Sequence, residues 1–377
     1  MCARLEEFVP RTSPASLAAK APRLAWFMSM SKPDDAVSGT YVAFAKAATA
    51  SARLNAPSLA PFFVYTYLPH QDVDEADDEL CAFLRAAGTT VVKWRLSFWD
   101  DIPPKIRSSK QGHINVGAFG RLDVPLIAST ILRKDFVDRG LDLDYVLYTD
   151  TDVMFARDWP RRSDLTTCRG CRKGWPNPNC CNHLLKDAEP NVFLAGTEVF
   201  AIWGLNSGVM FMNVDQMLSD RRALLDWGNE KAWNFMMYDQ GMLESFYRQR
   251  TRIDDLRRQN RTAADEFFKG WHAWDSFDDN KYNARGFMKL PPVQPFIWHW
   301  HGFKPYDVAC WLGQLEGGGW DLDADVKTAL ATAGKHGCRG LLNGRMGMHE
   351  CSLATYLDLF AAHERLLGIA AALGGTK

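Results

Sequence analysis

The chain has 377 residues, with 44 Lys and Arg against 45 Asp and Glu, a balance that gives no electrostatic case for nucleic acid or an anionic membrane as partner. Hydrophobic residues make up 47% and charged residues 24%, ordinary globular composition for one large α/β domain with additions or two modest domains. No apolar run reaches the ~18 residues of a membrane span, and residues 1–21 lack the apolar segment of a signal peptide. The expectation is a cytoplasmic chain or one whose upstream anchor is missing.

Residues 1–22 read as a flexible N-terminal segment. Residues 24–30, Leu-Ala-Trp-Phe-Met-Ser-Met, read as a first strand, and the Ala-rich stretch 42–54 as a helix. A second strand is expected at 61–67, a helix at 72–87 with apolar Leu80, Phe83 and Leu84, and a third strand at 89–94. Residues 119–136 read as one helix. This alternation predicts a mixed or parallel central sheet with helices on its faces. In residues 145–155, Tyr-Val-Leu-Tyr-Thr-Asp-Thr-Asp-Val-Met-Phe, apolar residues on both sides read as a buried strand, with Asp150 and Asp152 at its carboxyl end, where ligands gather in such sheets. Residues 156–192 break the pattern and read as a long Cys-rich insertion. Regular structure is expected again from 192 to 214, then helices at 217–227 and 238–247, and a last strand at 290–300. Residues 311–377 read as a C-terminal extension with a Gly-rich turn at Gly317-Gly318-Gly319 and an amphipathic helix at 352–373.

The chemistry concentrates in four places. Two carboxylates at i and i+2 on extended backbone point the same way, and they cannot both be buried bare. Asp150 and Asp152 therefore read as a hard-cation site that also holds phosphate oxygens; an isolated Asp-x-Asp would be a solvated turn. In residues 204–213, Gly-Leu-Asn-Ser-Gly-Val-Met-Phe-Met-Asn, a small polar turn leads into an apolar strand. Gly208 permits close backbone approach and Asn206 offers donors and an acceptor; an ordinary turn is the plain alternative. Asp239-Gln240 opens a helix, where Asp239 is either an N-cap or, with Gln240, a grip for sugar hydroxyls. In Trp298-His299-Trp300-His301-Gly302-Phe303-Lys304-Pro305, strand alternation puts His299 and His301 on one face and the tryptophans on the other. A histidine at a strand end is a metal-ligand candidate, and Lys304 beyond a Gly turn a phosphate partner.

In this order and spacing the four motifs resemble the retaining glycosyltransferases of family 8, the group of glycogenin and the bacterial lipopolysaccharide galactosyltransferases. The resemblance spans residues 24–306, close at the motifs and thin between them. It implies a GT-A fold, a mixed sheet flanked by helices over 23–310, and a hexosyltransferase using a UDP-sugar donor with Mn2+ or Mg2+. The acceptor class it leaves open is a carbohydrate, glycoprotein or glycolipid. Carried over residue by residue, Asp150, Asp152 and His299 would be the metal ligands. Arg121, Asn206, Ser207, Gly208, Gly302 and Lys304 would bind the donor, and Asp239 and Gln240 would stabilise the reacting sugar. The last motif is one residue short between Gly302 and Lys304, and Tyr306 stands where Trp is usual, so His301 stays a rival ligand. A sugar-nucleotide phosphohydrolase and a non-catalytic carbohydrate-binding protein of the same fold are the alternatives. The compartment implied is the Golgi lumen if an anchor precedes the chain.

Cys168, Cys171, Cys180 and Cys181, with His183 beside them, form a structural cluster. Two disulfides are preferred over a zinc site because adjacent cysteines suit one tetrahedral ion poorly. With nine cysteines in all, at least one thiol is free or shared between molecules. Trp271, Trp274 and Phe277 are expected in the core rather than against an acceptor. Asn260-Arg261-Thr262 fits a glycosylation acceptor only in a secretory chain.

Overall fold

The computed structural model describes residues 22–32, 39–107, 112–167, 183–184, 192–198, 204–235, 238–248, 275–276, 279–285, 294–300 and 350–374. Its strands are β1 (Leu24–Ser31), β2 (Leu59–Thr66), β3 (Thr90–Trp94), β4 (Tyr145–Thr149), β5 (Val153–Phe155), β6 (Thr166–Thr167), β7 (His183–Leu184), β8 (Phe193–Glu198), β9 (Gly204–Asn213), β10 (Asp275–Ser276) and β11 (Ile297–His299). Seven of them form one mixed sheet in the order β10-β8-β9-β4-β1-β2-β3. Strands β4, β1, β2 and β3 run parallel, and β9 joins antiparallel to both β4 and β8. The expected mixed sheet flanked by helices is therefore present.

β1 is buried along its whole length because both faces of the sheet are covered. Period-2 alternation sends Trp26, Met28 and Met30 into one core and Ala25 and Phe27 into the other. The first core is closed by the Gly39–Asn55 helix, whose Ala45, Ala48 and Ala52 permit close approach to the sheet. The C-terminal helix Glu350–Gly374 packs on that helix through Leu359, Ala362, His363, Leu366 and Ala370, leaving Glu364 and Arg365 in water. Burying each of those leucines contributes on the order of 2 kcal/mol. The second core is closed by the helices Gly112–Leu126, Val214–Glu230 and Asp239–Arg248.

The strand end at the aspartates is found where expected, and three other expectations are corrected. β4 ends at Thr149, so the aspartates stand at the end of a core strand as expected, and β5 begins at Val153 in a second small sheet with β11. The chain bends where two carboxylates meet, since neither can sit bare in a buried ladder. The helix expected at 119–136 is broken. Pro125 lies in the last turn of Gly112–Leu126, where it lacks an N–H and crowds the carbonyl four residues back. The next turn opens into a π-helix at Ile127–Ile131, with Leu132 N donating to Ile127 O at 3.0 Å, before the helix Arg133–Arg139. The helix expected at 72–87 starts only at Glu79, with Asp78 as N-cap accepting from Cys81 N at 2.8 Å. Upstream, Asp72 bonds nearby backbone instead, accepting from Asp74 N at 3.0 Å. Finally, Asn206 and Ser207 lie inside β9 and not in a turn before it, paired with β8 beyond a register shift at Ala195/Gly196.

The Cys-rich segment leaves from β6 and returns at β7, which pair antiparallel. Cys168, Cys171, Cys180 and Cys181 lie outside the described residues, as do Trp271, Trp274, Phe277, the Asn260-Arg261-Thr262 triplet and the Gly317-Gly318-Gly319 turn. Among the described residues no helix is long and apolar enough to cross a membrane.

Candidate metal centre

The site forms where β4 and β11 end, against the middle of β9. Asp150 N donates to Gly208 O at 2.8 Å, the last rung between β4 and β9. Two residues on, Asp152 O accepts from Trp300 N at 2.9 Å, which ties the bend to the end of β11. Trp298 and Trp300 are buried in the first core, so alternation turns His299 to the opposite side, toward the aspartates. His299 Nε2 lies 3.5 Å from Asp152 Oδ1. One ligand atom each from Asp150, Asp152 and His299 falls within 4.8 Å of the others. Asp152 and His299 are buried, while the Asp150 side chain is 34% exposed and opens the cluster to solvent.

Gly208 forms the floor of this cluster. A β-carbon there would stand 2.2 Å from His299 Cε1, 2.9 Å from His299 Nε2 and 3.0 Å from Asp150 Oδ2. Only glycine lets β9 pass beneath the converging His299 and Asp150 side chains. Two carboxylates and one imidazole are hard oxygens with one borderline nitrogen, the donor set that suits Mg2+ or Mn2+. Both the donor chemistry and the glycine floor fit a divalent cation held by Asp150, Asp152 and His299.

Arg121 comes from the helix Gly112–Leu126, which sits so close to β1 that a β-carbon on Gly117 would lie 2.7 Å from Ser31 N. Its guanidinium is buried over the Tyr148 ring, 4.9 Å from the centroid. Nη2 donates to Asp150 Oδ1 at 2.9 Å, Nε pairs with Asp239 Oδ2 at 2.8 Å, and Nη1 donates to Ser207 O. Burial opposes the Arg121 charge, but Asp150 and Asp239 outweigh it and raise its pKa. Arg121, expected at the donor, is thus placed as a clamp between two carboxylates.

Asp239 is the first residue of its helix, not the N-cap. It follows Tyr238, whose left-handed φ of 54° costs on the order of 1–2 kcal/mol and turns the chain into the helix. Burial raises the Asp239 carboxyl to about 6, with Arg121 pulling down and Asp150 pushing up. Ser207 Oγ donates to Asp239 Oδ2 at 3.3 Å, and Ser207 N donates to Gln240 Oε1 at 3.1 Å. Asn206 Oδ1 accepts from Gly208 N at 3.3 Å. The structure thus brings Arg121, Asp150, Asp152, Asn206, Ser207, Gly208, Asp239, Gln240 and His299 into one continuous cluster. His301, Gly302 and Lys304 lie outside the described residues.

Two members had no sequence signal. Tyr148 precedes Asp150 on β4, and its hydroxyl lies 2.8 Å from Ser29 Oγ and 3.4 Å from Asp150 Oδ1. Asn283 lies in no motif, yet its Oδ1 is 2.8 Å from His299 Nδ1. Only a pairing of Asn283 with the histidine 16 residues further along could have pointed to it.

No protein-family model and no curated protein matches the sequence. Solved structures similar to it include the apo form of the glycosyltransferase GlyE of Streptococcus pneumoniae TIGR4, at 17% identity and a TM-score of 0.39, over 76% of this chain and 56% of that one. The chain thus spans little more than half the length of GlyE. The galactosyltransferase LgtC, in complex with donor and acceptor sugar analogues, is similar at 16% identity and a TM-score of 0.42, over 75% of this chain and 89% of that one. The bifunctional glycosyltransferase WbbM is similar at 10% identity and a TM-score of 0.36, over 76% of this chain and 47% of that one.

Proposed function

We propose that this chain is a metal-dependent glycosyltransferase of the GT-A type. It moves a hexosyl group from a nucleotide-diphospho-sugar, a UDP-sugar by the motif resemblance, to a carbohydrate-bearing acceptor with retention of configuration. The observation that carries the reading is the convergence of Asp150, Asp152 and His299, far apart in sequence, within 4.8 Å at the carboxyl end of β4. In α/β sheets that end of the strands is where ligands gather.

When bound there, Mn2+ or Mg2+ supplies positive charge against the diphosphate as it departs. The chain's own residues do the rest. Arg121 holds Asp150 at one oxygen, Oδ1, and leaves Oδ2 facing His299 over the Gly208 floor. The same guanidinium fixes Asp239 beside Ser207, so the carboxylate that would face a developing oxocarbenium charge is set in place before any substrate arrives. Gln240 is held by the Ser207 amide, which would set its side chain beside the reacting sugar. Asn206, its carbonyl oxygen accepting from Gly208 N, would line the donor pocket. Gly302 and Lys304 complete the grip on the diphosphate.

The test is a panel of nucleotide sugars incubated with and without Mn2+, read by release of the nucleoside diphosphate with candidate sugar acceptors present. At least one donor is expected to turn over only with metal, and Asp152→Asn to abolish it. Silence across the whole panel sinks the reading, and metal-dependent release that no acceptor stimulates points to the phosphohydrolase.

A further inference from the structure

The geometry points to Asn283 as the residue that selects the tautomer of His299, acting through a hydrogen-bond relay anchored on the backbone of Gly208. The relay has one self-consistent direction. Gly208 N is a backbone donor, so the Asn206 atom it meets at 3.3 Å is the carbonyl Oδ1. That oxygen also lies 3.1 Å from the Asn283 side chain, which must therefore present its amide Nδ2 as donor. With Nδ2 turned to Asn206, Asn283 Oδ1 faces His299 Nδ1 at 2.8 Å. A carbonyl oxygen only accepts, so the neutral ring carries its proton on Nδ1. The lone pair is then on Nε2, the nitrogen 3.5 Å from Asp152 Oδ1.

All four residues are buried, with Asn206 at 1% and Asn283 at 0% exposure, so water does not compete for these bonds. The relay also explains why β9 supplies both the glycine floor and an asparagine. The backbone that leaves room for the cluster also sets the proton on its nitrogen ligand. Asn283 is a positioning residue that touches no substrate. Its consequence for metal affinity rests on the metal centre proposed above, whereas the tautomer itself does not.

The experiment reads the two separately. Long-range 15N–1H NMR of histidine-labelled, metal-free protein reports which His299 nitrogen is protonated. Mn2+ affinity is read from the loss of the free-ion EPR signal, and a melting curve confirms that each variant folds. The expected wild-type result is the Nδ1–H tautomer. Asn283→Asp keeps an acceptor at Nδ1 and should retain that tautomer. Asn283→Leu fills the space without one and should lose the preference, with Mn2+ binding weakened about 10–100-fold. An Nε2–H ring in the wild type, or a folded Asn283→Leu protein with unchanged tautomer and affinity, overturns the relay. Wild-type protein that binds no Mn2+ overturns the metal centre, and the tautomer measurement still decides the relay.

Discussion

A β-carbon on Gly208 would lie 2.2 Å from Cε1 of His299, closer than any two such atoms can stand. The position is therefore reserved for glycine by packing against the His299 side chain. Gly208→Ala should swing the His299 ring away and weaken Mn2+ binding by an order of magnitude or more. Overpacking of this kind destabilises by about 1–3 kcal/mol, so the variant should still fold. Calorimetric titration with Mn2+ checks it, and wild-type affinity in the alanine variant would show that the ring does not sit over β9.

Asp152→Asn separates metal binding from folding. Without metal, the change removes one of two neighbouring carboxylates and should leave stability equal or higher. With Mn2+ at about 100 times its dissociation constant, wild type should gain about 2.7 kcal/mol and the variant close to nothing. Thermal melts with and without the ion decide this; equal stabilisation of both proteins would place the binding elsewhere.

Asp239 should mark the pH profile. Burial raises its carboxyl to about 6 from 3.8. If the ionised form faces the reacting sugar, turnover should climb as pH rises through about 6. Stability runs the other way: a raised folded-state pKa contributes stability that is full below about pH 4 and lost as pH rises through 6, about 3 kcal/mol in all. Asp239→Asn should remove the rise in turnover and this one contribution to stability, and a turnover profile unchanged in that variant would remove Asp239 from the chemistry.

His363 opposes it in the same window. It is buried on the C-terminal helix between Phe44 and Trp300, and burial lowers its pKa to about 4 from 6.5. Such a group contributes stability present above pH 6.5 and lost as pH falls through 4, about 3 kcal/mol. In the wild type the two contributions nearly cancel. Relative to it, Asp239→Asn should lose stability on acidification and His363→Phe should gain it. Parallel denaturation curves from pH 4 to 7 test the pair, and identical pH slopes in all three proteins would contradict both assignments.

Much of the centre was readable before any coordinates because chemistry constrained it. Two adjacent aspartates in an apolar stretch demand compensation, and alternation around Trp298 and Trp300 puts His299 on the other side. What escaped was set by neighbours remote in sequence. Arg121 looked like a reaching side chain, but Asp150 and Asp239 bracket its guanidinium, and their meeting depends on packing between separate helices. Asn283 sits in irregular chain with no periodicity to single it out. Asn206 read as a turn residue because small polar residues favour turns; its place within β9 depends on a register shift against β8, which no local preference encodes. Pro125 carries its own signal, since a proline inside a helical stretch marks the break that follows at Ile127.

The most direct measurement is an anomalous-scattering map of crystals grown with Mn2+. A single strong peak is expected about 2–2.3 Å from a carboxylate oxygen of Asp150, a carboxylate oxygen of Asp152 and Nε2 of His299. A peak bound elsewhere, or one that touches His301 in place of His299, would contradict the centre as drawn.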